Sequence, residues 1–182
     1  MKTFVVFSIL IFSSVVCFAQ YLPLNSRPER IIVEGADFTN HLALVDTAWI
    51  CDDIRVRLTA VSENSVDVLL NSSTKPIETV RLFWRASLSA QSLMLTDDWC
   101  GLGWEKIGAQ RDSAWYFLVD EGELTHGYGV MTQPNAIAYW RVRPNEIELS
   151  LDVAAGGEGV RLGERTLEMC RLFSRRGKYG ES

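Results

Sequence analysis

The sequence predicts an all-β fold, an antiparallel β-sandwich preceded by an export signal. Three observations predict this fold class. Apolar and polar residues alternate along several short segments, turn-forming Gly, Pro and Asn residues separate these segments, and no segment shows a convincing helical period. Alternation places the apolar side chains on one face of each strand, and two sheets that pack these faces together form a sandwich.

Residues 1–19 have the pattern of a cleaved secretory signal peptide. Lys2 supplies the positive start, and an apolar stretch at 4–18 leads to a cleavage pattern of small residues. The stretch is short for a bilayer core of roughly 30 Å, so we expect no membrane span. Acylation of Cys17 as a lipoprotein is less favoured, because a valine precedes it in place of a small residue. We therefore expect a secreted or periplasmic protein.

The mature chain is predicted to contain one domain. Prolines block a helix in an extended lead-in at residues 20–29, and the β-sandwich is predicted over residues 30–176. The polar residues 177–182 are interpreted as the start of a linker to a downstream domain. The length suits a single domain with a sizeable core.

Four segments show the alternation most clearly. They are IRVRLTAV at 54–61, SVDVLLN at 65–71, TVRLFWRA at 79–86 and EIELSLDV at 146–153. Their apolar faces, together with an aromatic strand further along, predict one core between two sheets. The core residues expected from this pattern are Leu58, Val68, Leu82, Trp84, Phe117, Leu149 and Leu151. The segment at 165–177 fits either a helix or a final strand.

The composition excludes several classes of function. The formal net charge of −5 disfavours a nucleic-acid partner, because no basic stripe is available for phosphates. No CxxC, HExxH or clustered His and Cys predicts a metal site, and the Gly-rich run at 152–165 lacks the Lys-Ser/Thr of a phosphate-binding loop, so no cofactor is expected. Cys51, Cys100 and Cys170 leave two possibilities open: one disulfide bridge or three buried thiols.

The segment LMLTDDWCGLGWEKIG at 93–108 combines carboxylates with indole rings, as sugar-binding sites do. Asp98, Trp99 and Trp104 are the candidate substrate-binding residues, because tryptophan stacks on sugar faces. The alternative is a strand-end turn in which an aspartate caps a backbone N–H. Asp97 and Asp98 are adjacent and cannot flank one glycosidic bond, so no catalytic residue is predicted.

The segment at 113–140 is dense in aromatic residues. Trp115 and Phe117 are predicted to share one face of a strand, and Trp140 is predicted to lie in the next strand. We interpret most of these rings as core and fewer as ligand-stacking surfaces. His126 is disfavoured as a general base, because no Ser, Cys or acid stands at a recognisable triad spacing.

Three segments, in this order, resemble a known family. They are LTDDWCGLGWEKIG, SAWYFLVDEGELTHGYGVMTQPNAIAYWRV and ELSLDVAAGGEGVRLGERTLEMCRLFSRRG, and they cover roughly residues 80–180. This order resembles the N-terminal region of secreted, melibiase-like glycoside hydrolases, the α-galactosidase-type enzymes of family thirty-six. The resemblance implies a supersandwich-like fold followed by a (β/α)₈ barrel. It also implies that aspartates on this barrel hydrolyse α-galactoside-like carbohydrates with retention.

Two functions from different classes follow as expectations. In the first, the chain is the N-terminal sandwich of an exported α-galactosidase-type hydrolase, packs on an intramolecular catalytic barrel and is inactive alone. In the alternative, the chain is a free-standing secreted carbohydrate-binding β-sandwich without catalytic activity. A surface or assembly module with no ligand also stays open.

Overall fold

The computed structural model describes residues 26–97, 103–107, 112–113, 115–131 and 134–178. This part of the chain is all β, as predicted, and the segment that fitted either a helix or a strand forms the longest strand. In chain order the strands are β1 (Arg30–Gly35), β2 (Phe38–Val45), β3 (Ala48–Cys51), β4 (Ile54–Ser62), β5 (Ser65–Asn71), β6 (Thr79–Arg85), β7 (Leu93–Thr96), β8 (Glu105–Lys106), β9 (Asp112–Ser113), β10 (Tyr116–Asp120), β11 (Thr125–Val130), β12 (Ile137–Arg143), β13 (Glu146–Asp152) and β14 (Leu167–Gly177). The described ranges contain no helix of the length and hydrophobicity needed to cross a membrane.

The strands form one continuous antiparallel sheet that folds into two layers. The strand order is β8-β7-β10-β11-β14-β5-β4-β3-β2-β1-β6-β13-β12-β9. We call β1, β6, β13, β12 and β9 the front layer, and β3, β4, β5, β14, β11, β10, β7 and β8 the back layer. Residues 38–42 of β2 pair with β1, whereas residues 43–45 pair with β3. The two predicted sheets are therefore two layers of a single sheet, because β2 pairs with β1 of the front layer and with β3 of the back layer.

Aromatic rings from the two layers meet in the core. Phe117 on β10 contacts Trp140 on β12 edge to face, with ring centroids 5.3 Å apart. Phe117 also stacks on Tyr128 at 4.9 Å, and Trp140 packs against Trp84 at 6.4 Å. Edge-to-face and offset-stacked arrangements are the favourable geometries for such rings. These four rings therefore pack the front layer against the back layer.

Six of the seven predicted core residues are fully buried. They are Val68, Leu82, Trp84, Phe117, Leu149 and Leu151. Leu58 is the exception, because it is half-buried and only packs against the core from one side. Exposure rises along β4, and residues 59–62 are all exposed. The strand thus runs past the edge of the core, and Leu58 lies at that edge.

The described cysteines are not bridged to each other. Cys51 and Cys170 are both free thiols, and Cys100 lies outside the described residues. Cys170 is buried in the core, and this burial raises the pKa of its thiol. A protonated thiol is a weak nucleophile, so Cys170 serves as a small core residue.

Candidate functional site

A groove centred on Trp115 is a large apolar feature of the described surface. Trp115 lines two depressions, one of about 920 Å³ and one of about 360 Å³, which we together call the Trp115 groove. The larger depression is lined by Asp97, Trp115, Tyr116, Val130, Met131, Phe173 and Arg175. The smaller is lined by Trp115, Pro134, Asn135, Ala136, Ile137, Ala138 and Ala155. Both volumes lie in the range of roughly 300–1,000 Å³ that is typical of small-molecule sites.

Exposed apolar side chains concentrate in this groove. The described residues include seven exposed large apolar side chains, and four of them line it. These four are Trp115, Tyr116, Met131 and Ile137, with exposed fractions between 40% and 46%. Contiguous exposed apolar surface of this kind is typical of a binding or docking surface.

The aromatic floor of the groove depends on a glycine. Tyr116 on β10 is the register partner of Gly129 on β11, which in turn is the partner of Phe173 on β14. A Cβ atom at Gly129 would lie 2.5 Å from Cζ of Phe173 and 3.1 Å from Cβ of Tyr116. The missing side chain therefore lets the Phe173 ring lie across β11, beside Tyr116.

A carboxylate fixes the backbone of the central tryptophan. The backbone N–H of Trp115 donates a hydrogen bond of 2.5 Å to Oδ2 of Asp97, which follows β7. Arg175, near the end of β14, adds a guanidinium to the same depression. The alternative of an aspartate that caps a backbone N–H thus applies to Asp97, and the capped N–H is the main-chain amide of Trp115, whose indole is exposed. Capping and a role in ligand binding are compatible in this geometry.

The structure describes only one of the three residues that were predicted to bind substrate. Asp98 and Trp99 lie outside the described residues, where they directly follow Asp97 in the chain. Trp104 is half-buried just before β8, and it does not line the Trp115 groove. Trp115 was expected on the same core-facing side as Phe117, and this was wrong. It precedes β10, so the alternation of that strand does not include it.

An acid–base pair that we did not predict from the sequence lies at the far end of β11. Nε2 of His126 is 3.1 Å from Oε2 of Glu121, across the turn between β10 and β11. Burial raises the pKa of Glu121, and burial followed by the nearby Arg176 lowers the pKa of His126. Because both side chains are largely buried, a substrate has little access to them. The signal in the sequence was the Asp-Glu-Gly turn, which folds the acid back onto the second strand.

The side chain of Asn71 has a structural role. The amide Nδ2 of Asn71, which begins the N-glycosylation acceptor pattern Asn-Ser-Ser at 71–73, donates to the carbonyl oxygen of Arg165 at 3.2 Å and to Thr166 Oγ1 at 2.7 Å. The described residues contain no group of three or more His, Cys, Asp or Glu side chains placed to hold a metal ion.

Comparison of the sequence with protein-family models and with curated proteins finds no match.

The chemistry available in the groove is that of binding. Among the described lining residues, Asp97 is the one carboxylate and Arg175 the one guanidinium. Glycoside cleavage needs two carboxyl groups on opposite sides of one bond. The described groove supplies aromatic faces and two polar groups, which can hold and orient a ligand.

Proposed function

We propose that this chain is the sugar-facing β-sandwich of an exported α-galactosidase-type glycoside hydrolase. The observation that carries the proposal is the exposed indole of Trp115, whose backbone N–H donates to Asp97, beside the exposed ring of Tyr116. The three ordered segments that resemble the N-terminal region of such enzymes support the same conclusion, as does the pattern of an export signal in residues 1–19.

The groove matches the chemistry of a carbohydrate. A sugar ring has an apolar C–H face and a rim of hydroxyl groups, and aromatic rings attract the former through their negative faces. The carboxylate of Asp97 can accept hydrogen bonds from hydroxyl groups, and the guanidinium of Arg175 can donate to them. Asp98 and Trp99 follow Asp97 directly in the chain, and we propose that they also bind substrate.

The proposed division of labour leaves cleavage to a second domain. A (β/α)₈ barrel that packs on the sandwich would carry the two catalytic carboxylates at the C-terminal ends of its strands. In this arrangement the Trp115 groove forms one wall of the substrate pocket. The sandwich then contributes to substrate binding and leaves the chemical step to the barrel.

The test is kinetic and uses the protein together with the region encoded after Ser182. Trp115→Ala should raise KM for melibiose about tenfold with a smaller change in kcat, because it removes a stacking surface that both ground state and transition state use. Val61→Ala is the matched control, since Val61 is an equally exposed apolar residue outside the groove. The absence of an encoded barrel, or unchanged kinetics in Trp115→Ala, would contradict the proposal.

A second candidate function is a free-standing carbohydrate-binding module. It is favoured by the exposure of the groove, whose four apolar side chains are open to solvent in this chain. Titration of the purified protein with melibiose and plant polysaccharides, followed by tryptophan fluorescence, distinguishes the two functions. Tight binding of a carbohydrate favours the module if Trp115→Ala weakens it and Val61→Ala does not. No change in tryptophan fluorescence favours the hydrolase proposal.

A further inference from the structure

The outer face of the front layer carries a polar depression built around a small residue. Arg81 on β6 is the register partner of Ser150 on β13, and Ser150 is the partner of Tyr139 on β12. The serine is thus flanked across the sheet by two long side chains. The result is a depression of about 340 Å³ lined by Glu34, Thr79, Arg81, Tyr139, Arg141, Glu148 and Ser150.

A chain of four alternating charges forms much of the wall. Arg81 Nη2 lies 2.5 Å from Glu34 Oε1, and Arg81 Nη1 lies 3.8 Å from Glu148 Oε1. The other oxygen of Glu148 is 3.4 Å from Arg141 Nη1. Two carboxylates and two guanidinium groups give a formal charge of zero. An ion that entered the depression would therefore meet no net opposite charge.

Glu148 is unusual for the outer face of a sheet, because only 5% of it is exposed. Buried ion pairs add little to stability, since the loss of hydration offsets the attraction between the charges. Its position between Arg81 and Arg141 holds both guanidinium groups in place. Such preorganised polar groups lower the entropic cost of ligand binding.

The remaining lining residues supply hydroxyl groups and an aromatic face. Thr79, Ser150 and Tyr139 form no side-chain hydrogen bond with any described residue. The side chain of Tyr139 is also well exposed, at 42% of the residue. An apolar ring beside uncommitted hydroxyls, carboxylates and guanidinium groups offers donors, acceptors and one stacking surface together.

We propose that this depression is a second binding site, specific for a neutral polyhydroxylated ligand such as one sugar ring. Hydroxyl groups both donate and accept, so they match a wall in which donors and acceptors alternate. The C–H face of the ring stacks on Tyr139. The site shares no residue with the Trp115 groove, and its existence does not require that the groove bind sugar.

The experiment is a titration of the isotopically labelled protein with melibiose, followed through the backbone amide shifts in NMR spectra. The expected result is saturable shifts at Tyr139, Arg141 and Ser150. Tyr139→Ala should weaken this binding about tenfold, and Ser150→Val, which fills the depression with a residue that favours strands, should abolish it. Val45→Ala is the control, because Val45 is an exposed apolar residue, at 50%, that lines neither site; it should leave these shifts unchanged.

Each other outcome overturns the inference. Melibiose shifts confined to the Trp115 groove would show that the depression is only a solvated sheet face. Shifts that persist in Ser150→Val would place the ligand elsewhere. Inorganic phosphate that binds here in place of melibiose would show an anion site at Arg81 and Arg141.

Discussion

The buried pair of Glu121 and His126 predicts two variants whose stabilities depend on pH in opposite directions. Their side chains are 12% and 5% exposed, respectively, and lie in contact at 3.1 Å. Burial raises the pKa of Glu121 above its usual 4.5. Burial, together with Arg176, lowers the pKa of His126 below its usual 6.5. Both shifts favour the neutral form of the group, as expected where hydration is lost.

The two shifts contribute to stability with opposite sign. As the pH falls below 6.5, the unfolded chain protonates this histidine more than the folded protein protonates His126, so the histidine lowers stability as pH falls. Folded Glu121 takes up a proton at a pH where the unfolded chain is still ionised. The glutamate therefore raises stability as pH falls through its raised pKa toward 4.5. In the wild-type protein these two contributions have opposite signs wherever their pH ranges overlap.

Single substitutions separate the two groups. Glu121→Gln leaves the histidine contribution, so its free energy of unfolding should fall as the pH decreases below 6.5. His126→Gln leaves the glutamate contribution, so its free energy of unfolding should rise as the pH decreases toward 4.5. Each slope is limited to about 1.4 kcal/mol per pH unit, the value for one proton.

The assay is equilibrium urea unfolding at a series of pH values, followed by tryptophan fluorescence. The double variant, with both substitutions, reports the titration of all other groups, and its profile is subtracted from each single-variant profile. Near-ultraviolet circular dichroism verifies that each variant keeps its tertiary packing. Parallel profiles in the two single variants would refute the reasoning, because neither buried group would then change its proton affinity on folding.

Three further predictions concern the core, the groove and catalysis. Trp84→Ala should lower the free energy of unfolding by about 3–5 kcal/mol in urea, because the ring is buried and its Nε1 donates to the carbonyl of Ser26 at 3.0 Å; a loss below about 1 kcal/mol would contradict this. Gly129→Ala should cost about 1–3 kcal/mol and displace the ring of Phe173, which thermal melts and a crystal structure can verify. The purified protein should show no hydrolysis of a nitrophenyl α-galactoside above buffer; turnover that Asp97→Asn abolishes would reveal a catalytic site.

The alternation of apolar residues predicted most of the core correctly, because every second residue of a half-buried strand faces the core. It said less about where strands begin and end. Trp115 shares the spacing of Phe117 but lies before β10 begins, so its ring is exposed. Leu58 shares the spacing of Val56 but lies where β4 leaves the core. Both errors occur at strand ends, where the period continues in sequence and the packing does not.

The contacts between side chains on different strands could not be predicted from the sequence, for a different reason. The pairing of β2 with both β1 and β3 depends on how the whole sheet closes, which no local pattern encodes. The contact between Glu121 and His126 depends on the register of one hairpin. The depression over Ser150 depends on three registers at once, since its wall comes from β1, β6, β13 and β12. Sequence alternation places these residues on a face but does not state which of them are neighbours.

The two proposed functions use the Trp115 groove in different ways, and this difference decides between them. If a barrel packs on the sandwich, the four exposed apolar side chains lose part of their exposure, and each large one contributes roughly 1.5–3 kcal/mol when it is fully buried. Trp115→Ala would then weaken the association of the two domains as well as raise KM. If the sandwich stands alone, the same substitution weakens only sugar binding, because Trp115 is already exposed and its removal costs the fold little. A thermal melt of Trp115→Ala in the longer protein and in this chain therefore separates an interface residue from a ligand-stacking residue.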